Sequence, residues 1–238
     1  MRLLLTRPQH DARNLEIILK NFGIQSVVEP LLDIIIFDGP DIDCHDITAL
    51  VMTSANGVRA FVARSQERNI PVFAVGESTA LIAKNSGFLD VNSANGDVES
   101  LTELIIRSLT PSNGVILHPA ASNVAGDLKG QLAQAGILYR REIIYKAVPA
   151  VHLNSNLVEQ IIAKEIDGVV LFSPRTADIF KALSKKAGVI KHLCSMRVYC
   201  LSPAVAKKIV DLPWLEVCIA KHPSQAALLD LLEAPENT

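Results

Sequence analysis

The chain writes one strand-and-helix pattern twice, and that duplication limits what it can fold into. Residues Met1 to Ile36 read as strand, Arg-Pro turn, amphipathic helix, glycine and strand, passing through Glu29-Pro30-Leu31. Residues Asn113 to Val148 repeat the layout: Val115-Ile116-Leu117, a proline turn, a helix, Gly136, then Ile143-Ile144-Tyr145. Ala49–Ser54 resembles Gly168–Pro174, and Val72–Thr79 resembles Val198–Val205. A repeat this long is too coarse for a solenoid. It predicts two similar α/β lobes with a cleft between them, the kind of place where small ligands bind.

Strands are expected at Leu3–Thr6, Ser26–Glu29, Leu50–Thr53, Val72–Val75, Asp90–Ser93, Val115–His118, Arg141–Lys146, Gly168–Phe172, Arg197–Leu201 and Glu216–Ala220. Many are continuous apolar runs, as in parallel strands covered by helices on both faces. Leu15, Ile18, Leu19 and Phe22 form one helical stripe, ended by Gly23. Val98, Leu101, Leu104, Ile105 and Leu109 form a second; Val124, Leu128, Leu132 and Ala135 a third; Leu228, Leu229 and Leu232 a fourth. These stripes read as core.

Turn residues at Asp38-Gly39-Pro40-Asp41 and from Pro149 to Asn156 mark two crossovers. The expected fold is therefore two flavodoxin-like, doubly wound parallel-sheet lobes, the first of them discontinuous. Residues 1–37 with 149–238 make the first lobe, and residues 38–148 are the insert. Each lobe then holds five strands, as a flavodoxin-like sheet does.

Ligands of doubly wound sheets bind beyond the carboxyl ends of the strands. The tips here are Thr6-Arg7-Pro8, Thr53-Ser54-Ala55-Asn56-Gly57, Gly76-Glu77-Ser78-Thr79, Ser173-Pro174-Arg175-Thr176, Ser202-Pro203 and His222-Pro223-Ser224. Their Ser, Thr and Asn side chains suit helix capping, and Pro suits a first turn. A helix N-terminus also offers N–H groups and partial positive charge to an anion. Repeated across both lobes, such tips suit a ligand with many carboxylates or phosphates. Arg7 and Arg175 could pair with carboxylates. Glu77 would repel them and fits its helix N-terminus instead.

Other chemistries have little support. There is no G-x-G-x-x-G turn, phosphate loop, G-x-S-x-G elbow or H-E-x-x-H helix. Lys and Arg total 23 against 25 Asp and Glu, and aromatics are 5%, so nucleic acid is not an expected partner. Cys44, Cys194, Cys200 and Cys218 lack zinc spacing, so reduced thiols are expected and a metal is not. No apolar run is long enough to span a membrane, and the opening run is too short for a secretory signal. A cytoplasmic, monomeric protein is expected. His118 and His222 lie at tips without an evident partner and read as solvated loop residues.

The motifs together resemble the uroporphyrinogen-III synthase family over nearly the whole length. They are Leu5-Thr6-Arg7-Pro8; Val51-Met52-Thr53-Ser54-Ala55-Asn56-Gly57-Val58 with Phe61; Ala74-Val75-Gly76-Glu77-Ser78-Thr79-Ala80; Ile144-Tyr145; Leu171-Phe172-Ser173-Pro174; and Lys221-His222-Pro223-Ser224 with Leu228-Leu229. The resemblance implies an enzyme that closes hydroxymethylbilane, a linear tetrapyrrole with eight carboxylates. It expels water and inverts ring D, with no metal or organic cofactor. It further implies Tyr145 as the group assisting hydroxyl loss. Substrate contacts are expected from Arg7, Thr53, Ser54, Asn56, Gly76, Ser78, Thr79, Ser173, Arg175, Ser202 and Ser224. Two departures stand out. Ser202-Pro203 replaces a usual Gly-Pro, which removes a glycine-permitted approach. His118-Pro119 replaces a common Arg-Gly, and Pro119 has no N–H to give. The competing reading is a non-catalytic two-lobed sensor of small polyanions. A third, a protein-interaction scaffold, would need a large exposed apolar patch.

Overall fold

The computed structural model describes residues 1–94, 96–109, 114–122 and 126–233. Asn113 and Val124, which the duplication and the third stripe include, lie outside the described residues. The strands, in chain order, are β1 (Arg2–Leu5), β2 (Gln25–Val28), β3 (Leu32–Ile36), β4 (Ile47–Met52), β5 (Val72–Ala74), β6 (Val91–Ser93), β7 (Val115–Ala121), β8 (Leu138–Pro149), β9 (Gly168–Leu171), β10 (Arg197–Cys200) and β11 (Glu216–Ile219). The helices are α1 (Gln9–Asn21), α2 (Ala55–Val62), α3 (Glu77–Asn85), α4 (Val98–Ser108), α5 (Leu128–Gln134), α6 (Ser155–Ile162), α7 (Pro174–Lys186), α8 (Pro203–Ala206) and α9 (Gln225–Glu233).

The chain divides into two units, Met1–Asp33 with Val148–Thr238, and Ile34–Ala147. The first holds a five-stranded sheet in the order β11-β10-β9-β1-β2. Every pairing in it is parallel. The second unit's sheet is six-stranded, in the order β3-β8-β7-β4-β5-β6. The pairings of β4 with β5 and β7, of β5 with β6, and of β7 with β8 are parallel.

Five strands were expected in the second sheet, so its sixth is a correction. The Ile34-Ile35-Ile36 run, assigned from the sequence to the first lobe, belongs to the second unit. It is strand β3, a neighbour of β8. Phe37 N–H donates to the carbonyl of Ile144 at 2.8 Å just beyond it, and Ala150 N–H donates to the carbonyl of Leu31 at 3.0 Å. Both connecting segments thus find partners for backbone groups where they leave their units.

Alternate side chains of each central strand enter different cores, as a period of two requires. In the first unit Leu4, Val169, Leu171, Val198 and Cys200 meet α6, α7 and α8. Leu3, Leu5, Val170 and Tyr199 meet α1 and α9. In the second unit Leu50, Met52, Val72 and Leu117 meet α2 and α3. Ala49, Val51, Phe73 and Ile116 meet α4 and α5. The helical stripes supply the facing layers. One expected member differs: α1 stops at Asn21, and Phe22 beyond it is 49% exposed.

Pairing β1 with β7, β2 with β8, β9 with β4, β10 with β5 and β11 with β6 makes the two sheets correspond. The spatial order β11-β10-β9-β1-β2 then becomes β6-β5-β4-β7-β8. The same layout is entered at a different point of the chain, a circular permutation.

Gly168 opens β9 between β1 and β10. A Cβ there would lie 2.9 Å from both the Arg197 carbonyl oxygen and a Tyr199 ring carbon. The carbonyl belongs to a ladder and cannot retreat cheaply. Gly168→Ala should therefore cost about 1–3 kcal/mol, the usual penalty for overpacking. A fall in the urea midpoint at constant m-value checks this; an unchanged midpoint would contradict it.

Candidate functional site

The tip of β4 meets polar side chains from within β7 and β8 in the second unit. Ser54 is the N-cap of α2, and its hydroxyl oxygen accepts from Gly57 N–H at 3.1 Å. The same oxygen lies 2.7 Å from the Tyr145 hydroxyl. Two hydroxyls that share one hydrogen bond use one of their two protons on each other. The other proton stays available to a further acceptor.

The strand carrying Tyr145 was expected at Arg141–Lys146, but β8 runs from Leu138 to Pro149. A β-bulge positions its side chain. The register steps from Ala120 opposite Ile143 to Ala121 opposite Tyr145, leaving Ile144 extra. The extra residue breaks the in-out alternation. Ile144 and Tyr145 are consequently both buried, at 0% and 5% exposure, and both join the α2-facing core. Burial raises the phenol's pKa above its ordinary value of 10.0, and the Ser54 hydrogen bond only partly opposes that. The phenol keeps its proton at neutral pH.

Gly57 permits this arrangement by having no side chain. A Cβ there would stand 2.9 Å from the Pro119 carbonyl oxygen and 3.9 Å from a Tyr145 ring carbon. Pro119 itself costs the sheet little. β4 pairs with β7 only as far as Leu117, so no ladder partner on that side awaits a Pro119 N–H.

His118 is a correction to the sequence reading. It is 1% exposed, not a solvated loop residue. Its Nε2 lies 2.9 Å from Thr53 Oγ1, and its Nδ1 lies 2.7 Å from the Tyr139 hydroxyl. Its detectable signal was a polar aromatic pair on adjacent strands. Ile116 lies opposite Tyr139 in the β7–β8 register, so His118 and Tyr139 are diagonal neighbours on one face. That signal appears only once the pairing is known.

The remaining second-unit candidates are plainer. Asn56 Oδ1 accepts from an Arg59 guanidinium nitrogen at 2.8 Å. Gly76 is the N-cap of α3 and gives no side-chain cap. Glu77 lies in the first turn of that helix. Ser78 is exposed there, whereas Thr79 is buried at 3%.

In the first unit, Ser173 caps α7 through Thr176 N–H at 3.1 Å and also meets the Thr176 hydroxyl at 2.8 Å. Ser224 accepts from Ala227 N–H at 3.2 Å at the head of α9. Ser202 precedes the four-residue α8 and forms no side-chain cap. Arg7 is already engaged. Its guanidinium meets Gln225 Oε1 at 2.9 Å and Asp11 Oδ2 at 3.2 Å, and lies 4.4 Å over the Phe172 ring centroid. Arg175 is exposed in the first turn of α7. Thr6, which was not singled out, is buried and donates to the Val170 carbonyl at 2.9 Å.

Cys200 is buried, and burial pushes its thiol up to about 12. Cys218, half-buried on the adjacent strand, belongs to the opposite core. Among the described residues no helix is long and apolar enough to cross a membrane.

Two α/β units, each built on a parallel-dominated sheet with hydroxyl-bearing helix N-caps at its strand tips, define the class of two-domain α/β proteins. The family model for uroporphyrinogen-III synthase HemD matches residues 14–230. No curated protein matches the chain. Uroporphyrinogen-III synthetase from Helicobacter pylori superposes with a TM-score of 0.62 at 18% identity, covering 98% of each chain. A mutant uroporphyrinogen III synthase from the extreme thermophile Thermus thermophilus gives 0.54 at 13% identity, covering 98% of this chain and 97% of that one. At such identities the likeness is one of fold. The family model spans most of the sequence, and the chain belongs to the uroporphyrinogen-III synthase family. It is a cyclising lyase of tetrapyrrole and heme biosynthesis that acts on hydroxymethylbilane.

His118 provides a pH test of the site. Burial first, and the Arg141 charge second, pull its pKa from 6.5 down to about 4. Between these values the unfolded chain binds a proton that the native ring refuses. Stability therefore falls as pH falls from 6.5 toward 4 and then levels off, a loss of roughly 3 kcal/mol in total. His118→Gln should lack this component. Urea unfolding of both proteins at about pH 7 and about pH 4.5 should show the wild type losing about 2–3 kcal/mol more than the variant. A pH-independent difference would mean that the ring is not held neutral.

Proposed function

We propose that the chain closes hydroxymethylbilane with Tyr145 as proton donor to the departing hydroxyl, and with the strand tips holding the carboxylates. The observation carrying this reading is the Tyr145 phenol, protonated and 2.7 Å from Ser54 Oγ at the head of α2. That hydroxyl pair has one proton to spare beside a helix N-terminus, where partial positive charge favours an anion. Loss of the ring A hydroxyl generates an electrophilic methylene. The substituted carbon of ring D attacks it, and the spiro intermediate fragments and recloses inverted. The bilane also closes unaided to the symmetrical isomer, so the protein must orient as well as accelerate.

Carboxylate binding is distributed. Backbone N–H groups at Gly76 and Ser202 act with the side chains of Arg7, Thr53, Ser54, Asn56, Ser78, Ser173, Arg175 and Ser224. The Thr79 hydroxyl, expected to assist, is buried, and the Thr79 backbone N–H already donates to the Gly76 carbonyl at 3.0 Å, so this residue is left out of the contact set. The order of the first sheet supports a flavodoxin-like assignment for the first lobe, residues 1–37 and 149–238 without β3. The insert, residues 38–148, carries the permuted version. The enzyme acts as a cytoplasmic monomer.

Tyr145→Phe keeps the ring and removes only the donor. Turnover of authentic hydroxymethylbilane should fall about 10–10⁴-fold, the range for general acid catalysis. The product should remain mainly the inverted isomer, because orientation does not depend on the phenol. Wild-type turnover in this variant would sink the general-acid role. A sensor would release only the symmetrical isomer at the uncatalysed rate.

Single alanine changes at Ser78, Ser173 or Ser224 should each cost about 1 kcal/mol or less in binding, the worth of a neutral hydrogen bond. One such change that abolished binding in a folded protein would contradict the distributed model.

A further inference from the structure

The polar series Tyr139–His118–Thr53 has a direction, and the direction bears on the substrate. Both contacts are short, at 2.7 Å from His118 Nδ1 to the phenol and 2.9 Å from Nε2 to Thr53 Oγ1. His118 is 1% exposed, whereas Thr53 is half-buried at the strand tip. A neutral imidazole has one donor and one acceptor nitrogen, so the two partners must take opposite roles. A phenolic hydroxyl is the stronger donor and the weaker acceptor of the two hydroxyls. Burial raises the Tyr139 phenol's pKa, and the Arg141 charge only partly opposes that, so the phenol holds a proton that it can donate.

We infer that His118 is a positioning residue, which accepts from Tyr139 at Nδ1, donates from Nε2 to Thr53, and so turns the Thr53 hydroxyl proton outward toward a substrate carboxylate. The inference rests on the proposal that Thr53 contacts the substrate. Without the imidazole donor, the Thr53 proton can turn inward, and the site then offers an anion a lone pair. The same proton count makes the tip selective for an acceptor such as a carboxylate over a donor such as an amide nitrogen.

The direction is measured on the substrate-free protein. Nitrogen-15 spectra of the His118 ring at neutral pH should show a protonated Nε2 and an unprotonated Nδ1. Tyr139→Phe should shift the ring toward the other tautomer. Kinetics on hydroxymethylbilane then read the consequence. His118→Leu should raise KM about 3- to 10-fold with kcat little changed, the loss of one neutral hydrogen bond. His118→Gln, whose amide can donate from near the Nε2 position, should restore most of that loss. Tyr139→Phe should raise KM in the same sense by a smaller factor.

A protonated Nδ1 in the wild type overturns the inference even if His118→Leu fails to fold. Equal KM rises in the Leu and Gln variants also overturn it, because packing alone would then explain them. An unchanged KM in Thr53→Val, alongside a protonated Nε2, overturns the substrate contact of Thr53 instead and leaves the direction of the series standing.

Discussion

The governing constraint is that the central strands of both sheets are covered by helices on both faces. Leu3, Leu4 and Leu5 are 0%, 0% and 1% exposed, and Ala49, Leu50, Val51 and Met52 are all 0%. Such strands must satisfy their backbone groups laterally and leave little room for polar side chains along their length. Polar chemistry is thereby concentrated toward the strand ends, with His118 and Tyr145 reaching it from within β7 and β8. The helix N-termini there add unpaired N–H groups and partial positive charge. Ser54 shows how closely fold and function coincide at such an end. One oxygen completes the first turn of α2 and meets the phenol of Tyr145. Removing it would cost a cap, worth about 1 kcal/mol, and alter the surroundings of the proposed acid together.

The permuted correspondence of the units extends to these ends. Ser54 follows β4 and caps α2, while Ser173 follows β9 and caps α7. Gly76 and Ser202 follow the equivalent strands β5 and β10, and neither forms a side-chain cap. Where each strand order reverses, a buried polar side chain ties the two diverging strands together. Thr6 of the first unit donates to the Val170 carbonyl. His118 of the second meets the Thr53 side chain. The first contact closes on backbone and is finished. The second ends on a hydroxyl with capacity left over, so the two halves are alike in architecture and unequal in chemistry.

The two-lobed parallel arrangement was legible because burial on both faces writes itself into sequence as unbroken apolar runs. The caps Ser54 and Ser173 were legible because capping is local. Strand β3 was not. Its Leu-Asp-Ile-Ile-Ile run sits at a sheet edge, where half-exposed residues give neither a continuous nor an alternating signal. His118 was misread because its burial depends on Thr53 and Tyr139, 65 and 21 residues away. The strand around Tyr145 was expected to stop at Lys146 because the bulge within β8 involves register, which one strand alone does not reveal. Arg7 was recognised as a tip residue, but its contact with Gln225 lies 218 residues distant.

The split of the first unit also sets an order of assembly on the ribosome. The partner of Thr6 is Val170, 164 residues later. At synthesis rates of about 5–20 residues per second, β1 and β2 must wait roughly ten to thirty seconds for β9. The second unit lies wholly within that interval and can complete its own core first. Meanwhile β1 and β2, with the apolar face of α1, remain a two-stranded fragment, marginal by itself in water. The nascent chain therefore carries this incomplete fragment, with apolar surface uncovered, for as long as the insert takes to be made.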